Sequence, residues 1–116
     1  MTGRKPSPDR AALRLLDPDG AFLDRLRQDR AMLEALLGRL RSNGDGTEAL
    51  LATLATLAHR LAGAAGTFGY DAVGDAAMEL EDWLEEADAA EAGFAGEAVE
   101  RAGRLAGLLD DATGEG

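Results

Sequence analysis

The chain contains one histidine and no cysteine, so any imidazole chemistry rests on His59 and no thiolate chemistry exists. The segment around His59 is apolar and suited to a helix. At about 100° per residue, Leu50, Leu54, Leu57, Leu61 and Phe68 fall within roughly 40° of one line, and His59 lies on the opposite side. Its face is shared by Ala52, Ala55, Thr56, Ala62, Gly63 and Gly66. A solvated helix face normally carries long charged side chains, and here it is reduced to methyl groups, a hydroxyl and hydrogens. Gly63 and Gly66 each cost about 1 kcal/mol relative to alanine in a helix interior. That is a sizeable share of a domain stability of about 5–15 kcal/mol. Such a cost argues for space, either for a bulky group on the imidazole or for a partner pressed against the surface. Carrying a phosphoryl group on histidine within a protein complex needs both. Two plainer readings stand beside it: an ordinary surface histidine, or a close helix contact that leaves His59 half-buried at an interface.

Other chemistries lack a quorum. One histidine without cysteine makes a transition-metal site improbable, and no cofactor is expected on this chain. The only serines, Ser7 and Ser42, fall in an irregular N-terminus and a loop. No glycine-rich phosphate loop follows a strand. The Glu85-Glu86 pair has no apolar pocket implied around it. With no ATP-binding element, kinase activity of the chain's own is not expected, and a carrier is a better description than an autonomous enzyme.

The elements that must position His59 are helices. The three prolines all precede residue 19, and no useful stretch alternates with period two. At 116 residues the chain is one domain with one modest core. Residues 1–8 are expected to be disordered, residues 9–112 to form the bundle and residues 113–116 to form a disordered tail. A short extra helix over 9–16 would place its leucines on the bundle. The first long helix is expected from Asp17 as N-cap and Pro18 as first helical residue. It carries Phe22, Leu26, Leu33, Leu37 and Leu40 at helical spacing to about Arg41. The second is expected over 46–68, with Asp45 and Glu48 at capping-box spacing and Gly69 as its stop. The third has Asp71 as N-cap and a stripe of Val73, Ala76, Ala77, Leu80, Leu84 and Ala87. The fourth, over 94–110, uses Phe94, Ala98, Ala102, Leu105 and Leu109 and bears unfavourable glycines at 96, 103 and 107. Four amphipathic helices with short loops make an all-α antiparallel four-helix bundle.

A net charge of −10 speaks against nucleic acid or an anionic membrane surface as partner. No run of 18 apolar residues marks a membrane span, and MTGRKPSPDR lacks the apolar stretch of a secretory signal. A cytoplasmic location and a monomer are expected. Eleven arginines against one lysine, with abundant alanine and glycine, read as GC-rich bacterial coding.

The run from Ala58 to Gly69, AHRLAGAAGTFG, resembles the signature of histidine-containing phosphotransfer (Hpt) domains, above all those of chemotaxis-type kinases. That pattern places histidine, any residue, an aliphatic, lysine, glycine, two small residues, glycine, and then commonly Thr-Phe-Gly. His59, Leu61, Gly63, Ala64, Ala65, Gly66, Thr67, Phe68 and Gly69 match in register. MELEDWLEEA, residues 78–87, resembles the next helix of the family, and the likeness spans about residues 18–110. It implies a phosphocarrier of a two-component His-Asp relay, phosphorylated on His59. Its partners would be a receiver domain of a response regulator, a hybrid histidine kinase, or both, with Mg²⁺ held by the receiver. An alternative is an Hpt-like module that docks these partners without efficient transfer. The family's lysine is Ala62 here. Arg60, at the edge of the same face, either curls back as a donor to the phosphoryl group or is an ordinary solvated side chain. Glu81 falls where family members carry a glutamate that hydrogen-bonds the imidazole, and is otherwise one acid among many on its helix.

Overall fold

The computed structural model of the protein describes residues 10–42, 47–88 and 91–114. Five helices follow one another: α1 (Arg10–Leu16), α2 (Ala21–Arg41), α3 (Thr47–Ala64), α4 (Asp71–Glu86) and α5 (Phe94–Thr113), with a 3-10 turn over Gly66–Phe68. The four long helices form a ring in which α3 packs on α4, α4 on α5, α5 on α2 and α2 on α3. Contacts His59–Glu81 and Gly66–Gly74 show that α3 and α4 run antiparallel, as Phe22–Phe68 and Asp29–Arg60 show for α2 and the α3 segment.

The core is built from the leucines that the spacing selects: Leu26, Leu33, Leu37 and Leu40 of α2, Leu50, Leu54, Leu57 and Leu61 of α3, Leu80 of α4, and Leu105 and Leu109 of α5. All five apolar positions expected on the last helix are buried. Burying a leucine side chain is worth about 1.5–3 kcal/mol, so this ring outweighs the weak propensity of α5. Its glycines at 96, 103 and 107 face open space and break nothing in the packing.

Helix ends depart from the sequence expectation in four places. Pro18 is not helical. Asp17 to Gly20 form a turn closed by the Gly20 amide on the Asp17 carbonyl, and α2 starts at Ala21. Asp17 nevertheless caps the helix, because its carboxylate accepts from the Phe22 and Leu23 amides at 3.1 and 3.0 Å. The turn brings the carboxylate back over the helix end, near the positive pole of the dipole. The second long helix ends at Ala64, and Gly69 closes the 3-10 turn at φ 91°, a conformation open to glycine. Asp71 is the first residue of α4, and Tyr70 precedes it as cap residue without a side-chain bond. Finally, α5 runs through Thr113, which is buried with its hydroxyl donating to the Leu109 carbonyl, so the expected tail from 113 is helix at its start. Residues 1–8, and the capping role expected of Asp45, lie outside the described residues.

One end of the bundle is held by aromatic rings. Phe22 stacks on Phe68 with centroids 4.3 Å apart and meets Tyr70 at 5.9 Å. Leu13 of α1 joins them and lies over Gly69, as does Leu16, whereas Leu15 stays exposed. Thr47–Phe68 is long and apolar enough to cross a membrane by length and composition alone, with mean hydropathy 1.2, although it holds no unbroken run of 18 apolar residues. Its leucines are the inner wall of the bundle, which accounts for that apolarity.

Burial pushes the Tyr70 phenol above its ordinary value of 10.0, with the Asp17 carboxylate adding to the effect and Arg27 opposing it. The folded state therefore holds this proton more tightly than the unfolded chain does. The contribution is fully present below about pH 10 and is lost as pH rises through the raised folded value. Urea midpoints measured between pH 9 and 11.5 should fall in that window, and Tyr70→Phe should flatten the part of the decline due to this residue. The protein has one tyrosine, so tyrosinate absorbance reports this site directly. A native titration at the ordinary value would refute the assignment.

Candidate functional site

The imidazole of His59 stands in the last third of α3 with 78% of its side chain exposed. The leucine line faces inward as the wheel requires, and the histidine is not an interface residue of this bundle. Across the groove, Glu81 of α4 places Oε2 2.5 Å from His59 Nδ1. An ionised carboxylate only accepts hydrogen bonds, so Nδ1 carries a proton, and in the neutral ring that leaves the lone pair on Nε2. Glu81 is itself 20% exposed and fixed on the helix packed against α3. The ring is thereby held in one tautomer and one orientation, with its nucleophilic nitrogen turned to solvent.

The approach of α3 to α4 makes this contact. A Cβ on Gly74 would lie 3.3 Å from the Gly66 backbone nitrogen and 3.7 Å from the Ala65 Cβ. Gly74 is thus the glycine that packing demands, although sequence reasoning passed over it. Gly63 differs, since a Cβ there would meet nothing within 4 Å. At Gly66 it would meet only the Asp71 carboxylate at 3.7 Å, an ordinary contact. Around His59, Ala52, Thr56, Gly63 and Gly66 are exposed, while Ala55 and Ala62 are half-buried. The Thr56 hydroxyl turns back to donate to the Ala52 carbonyl at 3.1 Å. The face is smooth and apolar. Met78, half-exposed and one turn before Glu81 on α4, extends it.

Arg60 does neither of the things the sequence left open. Its Nη2 donates to Asp29 Oδ1 at 2.6 Å, across to α2, and only 3% of the Asp29 side chain is exposed. Arg25 approaches the same carboxylate oxygen at 3.7 Å. The reason lies in α2, where Asp29 occupies the slot between Leu26 and Leu33 on the inward line. A buried carboxylate needs a counter-charge, and Arg60 is the cation within reach from α3. The arginine is drawn to the side of the helix away from the imidazole. Sequence reasoning did not single out Asp29; the available signal was an acid interrupting a leucine ladder.

A helical bundle that presents one exposed, carboxylate-oriented imidazole on a helix face of small residues is the arrangement that a carrier of a group on histidine would need. The chain belongs to the Hpt domain family, whose family model matches residues 20–114. Membership places it among the phosphocarriers of His-Asp phosphorelays, which work with receiver domains and kinases. No curated protein and no solved structure matches the chain.

Two stability measurements separate the roles assigned to these residues. Arg60→Ala leaves Asp29 buried beside the more distant Arg25, so unfolding free energy should drop by about 1–3 kcal/mol, at the low end for a broken buried pair because Arg60 is partly solvated. An unchanged urea midpoint would show the pair to be idle. Gly63→Gln should hold or raise stability, by up to about 1 kcal/mol from helix propensity. A clear loss of thermal stability would instead mark Gly63 as a packing residue.

Proposed function

We propose that this chain is a phosphocarrier of a bacterial two-component relay, working in the cytoplasm as a monomer, with His59 Nε2 as the atom that accepts and donates the phosphoryl group. The observation that carries this reading is the exposed His59 with Nδ1 tied to Glu81 inside an Hpt domain. In the accepting direction, the Nε2 lone pair attacks the phosphorus of a receiver's aspartyl phosphate. The P–O bond to the carboxylate breaks and its electron pair leaves with the aspartate. The ring then carries a positive charge, with the proton still on Nδ1, and Glu81 lies against that charge. In the donating direction the receiver carboxylate attacks, the P–N bond breaks and the pair returns to Nε2. No proton has to move in either direction, because Glu81 keeps it at Nδ1 throughout. Positioning of this kind is the main lever in phosphoryl transfer.

The receiver domain, or the receiver of a hybrid histidine kinase, would supply Mg²⁺ and the rest of the reaction site. The smooth face of Ala52, Ala55, Thr56, Ala62, Gly63 and Gly66, with Met78, would seat it; small apolar patches suit transient docking.

Incubation with a receiver domain bearing labelled aspartyl phosphate tests this. The label should move to the protein as acid-labile, base-stable phosphate and should be absent from His59→Gln. Gly63→Gln should take it up more slowly while staying folded. A protein that binds the receiver but takes no label would be a docking module, and label on any other residue would end the reading.

A further inference from the structure

The groove between α2 and α3 lies on the flank of α3 away from Glu81, and nothing assigned to His59 uses it. It holds an open cleft of about 380 Å³, within the range of about 300–1,000 Å³ usual for small-molecule sites. Phe22, Leu61, Ala64 and Phe68 give it apolar walls, and the Phe22 and Phe68 rings are stacked on one another. Its polar side chains are few. Asp17 at one end is engaged with the Phe22 and Leu23 amides. The others are Arg25, Asp29 and Arg60.

The ion pair lining this cleft is incompletely bonded. Arg60 Nη2 donates to Asp29 Oδ1 at 2.6 Å, and Arg25 Nε stands 3.7 Å from the same oxygen. Asp29 Oδ2 and Arg60 Nε are buried and have no hydrogen-bond partner, although only 3% of the Asp29 side chain is exposed. Buried polar atoms are nearly always bonded, and a buried charged group left short of partners is costly. Nε and Nη2 share one edge of the guanidinium, so that edge meets the carboxylate with one of the two bonds a fork can make. Left over are one acceptor and one donor, on two groups already in contact.

We propose that this cleft is a binding site for a small flat lactam, an aromatic ring system carrying an N–H beside a C=O. The ring lies along the wall of Phe22, Leu61, Ala64 and Phe68. Its N–H donates to Asp29 Oδ2 and its carbonyl accepts from Arg60 Nε, which completes both groups. A neutral edge suits the site better than an ion does, because a carboxylate would meet Asp29 and an ammonium would meet Arg25 and Arg60. The Arg60 side chain is 38% exposed, so its guanidinium has room to turn toward the ligand. The site takes nothing from His59 and stands whether or not the imidazole carries phosphate.

Proton–nitrogen correlation NMR of the full chain, titrated with the bicyclic lactam isocarbostyril, tests the assignment. The Arg60 Nε–H signal, identified by its loss in Arg60→Lys, should shift saturably together with the amides of Ala21, Phe22, Leu61 and Ala64. N-methylisocarbostyril keeps the ring and carbonyl but has no donor for Oδ2, and should bind about tenfold more weakly or worse, as expected for a lost hydrogen bond to a charged group. Ala64→Leu fills the cleft from α3 without touching the ion pair and should abolish binding. Should that variant fail to fold, Ala21→Leu fills it from an exposed position on α2. Equal affinity for the two lactams would show that the rings merely adhere to an apolar groove. Saturable shifts that survive the filled cleft would place the probe elsewhere. An Arg60 Nε–H signal that no titration moves would show that the pair closes its own second bond. Each of these three results would overturn the proposal.

Discussion

How close α3 and α4 can come sets everything at the site. Their closest approach given by a glycine is at the turn that follows α3, where the missing side chain of Gly74 lets α4 lie against the Gly66 amide. Two turns further along α4 the same approach leaves just the space a glutamate needs to reach Nδ1 of the imidazole. A residue with a Cβ at the contact would act as a lever. A Cβ at Gly74 would press its neighbours back by a few tenths of an ångström, and any part of that shift carried to Glu81 would lengthen a hydrogen bond whose strength depends on a short donor–acceptor distance. The aromatic stack of Phe22 and Phe68 secures the same end of the bundle from the α2 side, so the backbone that carries Gly66 is pressed from two directions.

The two faces of α3 answer to different constraints. On the inner face every turn contributes a leucine to the core. The outer face of α3 buries little, and its one glycine, Gly63, subtracts from helix propensity, whereas Gly66 lies in the turn beyond the helix. The helix survives because burial on one side is worth several times the propensity lost on the other. That surplus leaves the outer face free of any demand from packing. The arginine beside the histidine belongs to the first constraint, not the second, since it neutralises Asp29 between α2 and α3. Adjacent residues in a helix point about 100° apart, and here that angle divides a residue facing solvent from one serving the interior.

What the sequence discloses follows the reach of each interaction. The leucine spacing orients His59 because helical geometry is local, and burial of the line follows from amphipathicity alone. The ends of helices were less legible. Asp17 caps α2 from five and six residues away, a distance that only the intervening turn makes possible, so capping rules based on adjacent positions put the start too early. Thr113 lies in α5 because its hydroxyl finds a carbonyl one turn back, which composition does not announce. Arg60 was illegible for a stronger reason: its partner is 31 positions away, and nothing near it in sequence distinguishes a solvated arginine from one claimed by another helix. The anomaly was visible only at the other end, where Asp29 takes a leucine's place.

A buried ion pair between α2 and α3 is weak as a source of stability, because desolvation of both charges offsets much of their attraction. It is strong as a constraint on arrangement. Were Asp29 a leucine, nothing on α2 would hold Arg60, and it would be free to sample both sides of α3. With Asp29 in place, drawing it away exposes the interior to an unpaired charge. The pair therefore ties the one arginine of α3 to the interior, so that the residue next to the histidine serves the arrangement of α2 against α3.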